Sequence, residues 1–221
     1  MNSLLRFSNI YLQYQNGTLL TEVIRGIDFT IHQNEKLAIV GKSGSGKTSL
    51  LMLMAGLEKP TSGQITYLDQ DITSYNEDQL TEYRKKNIGI VFQSFYLIPN
   101  YTALENVAIS LEINFQKDAL SQAKEMLIDL GLKDRVNHFP SQLSGGEQQR
   151  VAIARAMIKK PELILADEPT GNLDDENTEV ITELIFNIAS KYQKSLCLVT
   201  HDVDLAKRCD RIMTIENGTV V

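Results

Sequence analysis

The chain is 221 residues long and 43% hydrophobic, enough for one cored domain of ordinary globular kind. Its 28 acidic residues outnumber the 22 basic ones, and a net charge of -6 opposes the basic face that nucleic-acid phosphates require, so no nucleic-acid partner is expected. The longest apolar run, Leu50 to Leu57, is eight residues, against the ~20 that a helix needs to cross a bilayer.

From the N-terminus, Leu4 to Tyr14 and Val23 to Ile31 alternate apolar and polar residues, with Ile27, Phe29 and Ile31 on one face, as half-exposed antiparallel strands do. Arg6 and Asn9 interrupt the first of these, so no secretory signal is predicted. Lys36 to Val40 is a compact apolar run suited to a buried strand. Directly behind it stands Gly41-Lys42-Ser43-Gly44-Ser45-Gly46-Lys47-Thr48, two glycines five apart followed by Lys and Thr. Ser49 to Ala55 then reads as a helix, apolar nearly all round and stopped by Gly56. Strand, glycine-rich loop and helix in this order form the setting of a phosphate-binding loop. Glycines let backbone N–H groups curl around phosphates, and a helix N-terminus adds a favourable potential. On this reading Lys47 reaches the β- and γ-phosphates and the Thr48 hydroxyl binds Mg²⁺. A plain Gly/Ser turn before a core helix is the competing reading, and the strand and helix flanking the loop disfavour it.

Ile88 to Phe92 is a second buried run, ending at Gln93. Thr102 and Glu105 form a capping box, with Leu104, Val107, Ala108 and Leu111 following at helical spacing. Leu120, Ala123, Leu127 and Leu130 predict a second amphipathic helix, stopped by Gly131. Ser144-Gly145-Gly146-Glu147 is itself a capping box, opening a helix that holds Val151, Ile153, Ala154 and Met157. Capping does not account for two glycines in a first helical turn, each costing about 1 kcal/mol relative to Ala. Bare backbone at a helix start is what a second anion contact would need. Residues 94–159 are thus predicted to be a helical insertion in an α/β core formed by 1–93 and 160–221.

Leu163 to Ala166 is a further buried strand, with Asp167 and Glu168 at its end, where ligands bind in open α/β sheets. Asp167 is placed to hold Mg²⁺ through water and Glu168 to polarise an attacking water. Pro169 disfavours the helical region for Glu168 and keeps its carboxylate at the strand tip. Leu196 to Thr200 is the last compact run, followed by His201, and Arg211 to Val221 predicts a closing hairpin turned at Asn217-Gly218. Cys197 and Cys209 lack metal-ligand spacing and read as free thiols of a reducing compartment. Short strands alternating with helices predict a mainly parallel α/β sheet.

Three motifs in this order, Gly41 to Thr48, Leu143-Ser144-Gly145-Gly146-Glu147-Gln148-Gln149-Arg150 and Leu163 to Glu168, resemble those of the ATP-binding cassette (ABC) ATPases, and the resemblance spans essentially the whole chain. It implies an α/β fold with a P-loop NTPase (RecA-like) core, an antiparallel β subdomain and an inserted α-helical subdomain. It also implies hydrolysis of ATP with Mg²⁺ as cofactor. Gln93 resembles the family's Q-loop glutamine, a Mg²⁺ and water ligand, and His201 the switch histidine that contacts the γ-phosphate. Gly171-Asn172-Leu173-Asp174 resembles the D-loop, with Asp174 at a dimer seam. Tyr14 resembles the aromatic that stacks on adenine, with Tyr11 as a nearby competitor. In the family Ser144, Gly145, Gly146 and Glu147 would reach across a head-to-tail dimer to the γ-phosphate held by the partner's phosphate loop, with Ser49 behind each loop.

The run Ala166 to Asp174 is most similar to that of exporter-type cassettes of the lipoprotein-releasing, macrolide-efflux and cell-division group. Phe92 to Pro99 also resembles cassettes encoded beside a large permease. These resemblances imply a homodimer formed on ATP binding, integral membrane permease subunits that transmit force, and a cytoplasmic position on the inner face of the cell membrane. A soluble ABC protein acting on ribosomes or nucleic acid would call for tandem cassettes, a long coiled-coil insertion or zinc-binding cysteines, and a phosphate-loop kinase leaves Ser144-Gly145-Gly146 without a role.

Overall fold

The computed structural model describes residues 2–17 and 19–221. Strands β1 (Ser3–Asn16) and β2 (Leu19–His32) pair antiparallel along their length, as their alternation predicts, though both outrun the predicted bounds. Strand β3 (Lys36–Val40) leads through the glycine-rich loop into helix α1 (Lys47–Met54). Strands β4 (Ser62–Tyr67) and β5 (Gln70–Asp71) come next, then helix α2 (Glu77–Asn87) and strand β6 (Ile88–Phe92). Helices α3 (Ala103–Glu112), α4 (Ala119–Asp129) and α5 (Gly145–Met157) fill the stretch before strand β7 (Leu163–Asp167). Helix α6 (Asp175–Lys191), strand β8 (Ser195–Val199), the short helix α7 (Val203–Ala206) and strands β9 (Arg211–Glu216) and β10 (Thr219–Val220) complete the chain.

Two sheets result. One has the order β2-β1-β4-β5, with antiparallel pairings. The other runs β10-β9-β3-β8-β7-β6, parallel from β9 to β6 and closed by the antiparallel β10. The fold is therefore the mixed α/β architecture expected. The last hairpin turns at Asn217 and Gly218 with φ of 50° and 80°, the positive pair that a tight I′ turn demands.

The parallel strands are buried on both faces, so alternate residues enter different cores. Leu163 and Leu165 of β7, with Cys197 and Val199 of β8, join a core shared with α1 and the antiparallel sheet. Ile164 and Ala166, with Leu196 and Leu198, join a second core built from α3, α4, α5 and α6. The α4 face differs from the one predicted: Ala119, Ala123 and Leu127 turn inward, while Leu120 is 50% exposed. Small alanines let α3 and α4 approach, and the larger Leu120 falls about 100° round the helix from Ala119. Cys197 and Cys209 are free thiols. Among the described residues no helix is long and apolar enough to cross a membrane.

The strand register is what assembles a site. Ile39, Val199, Asp167 and Phe92 stand level in one row across β3, β8, β7 and β6. All four strands are parallel, so their C-terminal ends open on one sheet edge. The glycine-rich loop, His201, Glu168 and Gln93 all emerge there.

Candidate active site

That edge forms an open cleft of about 680 Å³. Ser43, Gly44, Gly46, Lys47, Thr48 and Ser49 line it from the loop side, Asp167, Glu168, Gln93 and His201 from the strand ends, and Val23 from β2. Such a volume is of the size that small-molecule sites commonly have.

Two loop glycines are required by geometry. Gly46 has φ of 103°, and a Cβ there would stand 2.9 Å from the Ile24 side chain and 3.0 Å from the Val23 carbonyl oxygen. Gly44, with φ of 77°, turns the loop in open space, where only its conformational freedom matters. The Lys47 side chain is buried and folds back along the loop, donating to the Gly41 carbonyl at 2.8 Å and the Lys42 carbonyl at 3.0 Å. Lys42 and Ser45 lie on the far side of the loop, toward Glu216 and Asn217. Gly41 packs against the Ile215 carbonyl and Ser45.

The Thr48 hydroxyl donates to Asp167 Oδ2 at 3.1 Å, so the first turn of α1 and the tip of β7 present two hard oxygen donors side by side. Burial pushes the Asp167 carboxyl above its ordinary range; the Thr48 hydrogen bond opposes this, the neighbouring Glu168 charge adds to it, and Lys47 opposes it again. Next to it, Glu168 Oε2 lies 2.6 Å from His201 Nδ1, with the Glu168 side chain 19% exposed and that of His201 74%. Glu168 stays out of the right-handed helical region before Pro169 by taking a left-handed backbone. Its φ is 45°, held by its N–H donating to the Val199 carbonyl at 2.9 Å and its own carbonyl accepting from Gly171 at 3.0 Å. A left-handed non-glycine residue costs on the order of 1 kcal/mol, and such strain collects at functional positions.

Ser144 to Glu147 do not line this cleft. Their capping box is formed: Glu147 N–H donates to Ser144 Oγ at 3.3 Å and Ser144 N–H donates to Glu147 Oε2 at 2.8 Å. The Ser144 N–H, and behind it Arg135, hold the Glu147 carboxyl below the usual carboxylate range. The two glycines differ. Gly146 is buried, and a Cβ there would overlap the Asn177 carboxamide, whose Cγ would be 2.7 Å away. Gly145 is half-buried and leaves room, with Leu173 at 3.4 Å. One glycine of the pair is therefore explained by close packing alone, without an anion contact. Asp174 is the N-cap of α6, accepting from the Asn177 N–H at 2.8 Å, and lies away from the cleft. Tyr14 also stands outside the cleft lining, 43% exposed and beside Ser49 and Glu58 near the start of α1. Tyr11 instead packs its hydroxyl on Gly26, where a Cβ would stand 2.8 Å from it.

Three residues to which the sequence assigns no individual role tie the site together. Asn172 Nδ2 donates to the Gln93 carbonyl at 3.0 Å, and Gln93 Nε2 donates to Asn172 Oδ1 at 3.2 Å. Gln149, fully buried, donates from Nε2 to the Pro169 carbonyl at 2.5 Å, linking α5 to the turn behind Glu168. Asn177 is the third, filling the space beside Gly146. Gln149 had a detectable signal: it falls on the inward stripe of α5 with Gly146 and Ile153, where an amide needs a partner. The contacts of Asn172 with Gln93 and of Asn177 with Gly146 had none, because each joins segments far apart in the chain.

Comparison with known proteins agrees with this geometry. Residues 24–171 match the family described as ABC transporter. The chain is similar to the lipoprotein-releasing system ATP-binding protein LolD of Idiomarina loihiensis, 44% identical over 98% of this chain and 96% of the other. It is likewise similar to LolD of Hydrogenovibrio crunogenus, 45% identical over 97% and 94%. Among solved structures it resembles the dimeric ATP-binding cassette MJ0796 in a post-hydrolysis state bound to ADP and Pi. That resemblance has a TM-score of 0.91 and 36% identity, covering 98% of this chain and 96% of the other. The glycine-rich loop after β3, the acidic tip of β7 and the capped start of α5 thus sit on a fold that has this family's shape over nearly its whole length, and the chain belongs to the ABC transporter family as its ATP-binding ATPase component.

Proposed function

We propose that this chain is the ATPase of a lipoprotein-releasing type of transporter, closing as a head-to-tail homodimer on two MgATP and moving separate integral membrane permease subunits from their cytoplasmic side. The relatives' names support the transporter type, and the dimeric cassette neighbours support the pairing. The observation that carries the chemistry is the convergence of Thr48, Asp167, Glu168, His201 and Gln93 on one cleft beside the glycine-rich loop.

The donor set suits Mg²⁺: the Thr48 hydroxyl and the Asp167 carboxylate are adjacent hard oxygens, and Gln93 adds an amide oxygen at the same edge. When bound, Mg²⁺ supplies charge neutralisation at the β- and γ-phosphates. Backbone N–H groups of Gly41 to Thr48 and Ser49, with Lys42, Ser43 and Ser45 shaping the loop, cradle the phosphates. Lys47 exchanges its two loop carbonyls for phosphate oxygens. Tyr14 stacks on the adenine.

Glu168 takes a proton from the attacking water as the water oxygen bonds to the γ-phosphorus and the bond from that phosphorus to the β–γ bridging oxygen breaks, leaving ADP and phosphate. His201, exposed at its ring, leaves Glu168 to meet the γ-phosphate. Ser144, Gly145, Gly146 and Glu147 serve the partner's nucleotide, with Asp174 at the seam. Residues 94–159 act as a helical subdomain carrying that surface, against a core of 1–93 and 160–221.

The test is Glu168→Gln, which keeps size and hydrogen bonding but removes the proton acceptor. ATP binding is expected to persist, hydrolysis to fall about 10²- to 10⁴-fold, and MgATP to trap a dimer visible by size-exclusion chromatography. Turnover near wild type in the variant would move the base elsewhere.

A further inference from the structure

The Gln93 side chain can serve as an oxygen ligand only if its amide is turned the right way round, and nothing on its own strand decides that. The Gln93 backbone carbonyl can only accept a hydrogen bond, so the group facing it from Asn172 must be the Nδ2 amide nitrogen, which donates at 3.0 Å. That leaves Asn172 Oδ1 as an acceptor, which meets Gln93 Nε2 at 3.2 Å. A Cβ on Gly171 would stand 2.6 Å from Gln93 Nε2, so the same turn also closes over the nitrogen end of the amide. Asn172 thus reads the one unambiguous acceptor in the cluster and passes its polarity to the Gln93 side chain. Gln93 lines the cleft, and among the described residues its Oε1 has no hydrogen-bond partner.

From this we infer that Asn172 is a positioning residue that sorts the Gln93 amide, fixing Oε1 rather than Nε2 as the atom offered to a divalent cation or its water. The inference rests on the reading of Gln93 as such a ligand. It also places the sorting device in the turn directly behind Glu168, since Gly171 N–H donates to the Glu168 carbonyl at 3.0 Å. The turn behind the base and the strand end that carries the ligand are thus joined by one pair of amides. The exposed Asn172 is free of core packing, so its removal leaves no cavity.

A carboxylate has two equivalent oxygens and needs no sorting, and this separates the role from mere structural support. We would compare the starting protein with Asn172→Leu, Gln93→Glu, Gln93→Leu and the double variant Gln93→Glu with Asn172→Leu. Mn²⁺ affinity is measured by electron paramagnetic resonance with a non-hydrolysable ATP analogue, and affinity for that analogue in EDTA serves as the folding and binding control. Asn172→Leu is expected to weaken Mn²⁺ binding about 3- to 10-fold, the scale of one lost hydrogen bond, with analogue affinity in EDTA unchanged. In the Gln93→Glu background the same substitution is expected to cost less than about twofold. Equal losses in both backgrounds would make Asn172 a structural residue and overturn the inference. Gln93→Leu weakening Mn²⁺ binding while Asn172→Leu does not would overturn it alone; no effect of either would remove the ligand role of Gln93 with it.

Discussion

Asp167 carries the clearest conflict between stability and use. Its carboxyl pKa is pushed up chiefly by burial, yet the proposed role in cation binding needs it ionised. A raised folded-state pKa means that this group favours the folded protein at low pH and loses that contribution as pH rises through the folded value. At neutral pH the nucleotide-free protein therefore bears the cost of a half-buried charge beside Glu168. Asp167→Asn is expected to raise the thermal midpoint at pH 7.5 by a few degrees at most, with the gain shrinking at a lower pH, as the pH falls toward the raised folded-state value. Mg²⁺-dependent turnover is expected to be lost in the same variant. Calorimetry at the two pH values checks the first part; a midpoint that falls at pH 7.5 would show that the Thr48 hydrogen bond outweighs desolvation.

At the scale of elements, the start of α5 and the start of α6 interlock, and the two glycines of the Ser144-Gly145-Gly146 segment divide the work. Gly146 makes room for Asn177, while Gly145 faces partly outward against Leu173. Gly146→Ala is expected to destabilise the fold by about 1–3 kcal/mol through overpacking. Gly145→Ala is expected to be neutral or to gain up to about 1 kcal/mol from helix propensity. Urea titration of the two variants decides it, and equal destabilisation would refute the division. α5 was legible in the sequence because its capping box and inward stripe are both local. β4, β5 and α2 were not: α2 buries only Leu80 and Tyr83, too few apolar positions to print a helical period, and β4 is short with Ile65 and Tyr67 alone turned inward. The Asn76–Gln79 capping box that opens α2 was the available signal.

For the molecule as a whole, the decisive question is whether each nucleotide is served by two chains. Gly145→Asp places charge and bulk where the partner's phosphate would come, without touching its own phosphate loop, and like charges at close range repel. The variant is expected to bind ATP nearly normally, stay monomeric and hydrolyse almost nothing. Mixed with Lys47→Ala, itself inactive, it forms a dimer in which one composite site carries both lesions and the other none, so partial ATPase activity should return. Heterodimers that form yet stay as inactive as their parents would count against action in trans. Chemistry that depends on local order was readable beforehand: a glycine-rich loop between strand and helix, an acidic pair at a strand end, a capped helix with glycines in its first turn. Those features are set by neighbours a few residues apart, where backbone geometry and propensity act. Only the tertiary structure decided that Phe92, Asp167, Val199 and Ile39 stand in one row, that Asn172 orients Gln93, that Asn177 requires Gly146, and that His201 meets Glu168. Each of these joins segments far apart in the chain, and strand register and side-chain packing across that distance are settled by the cores on both sides of the sheet, which no local pattern encodes.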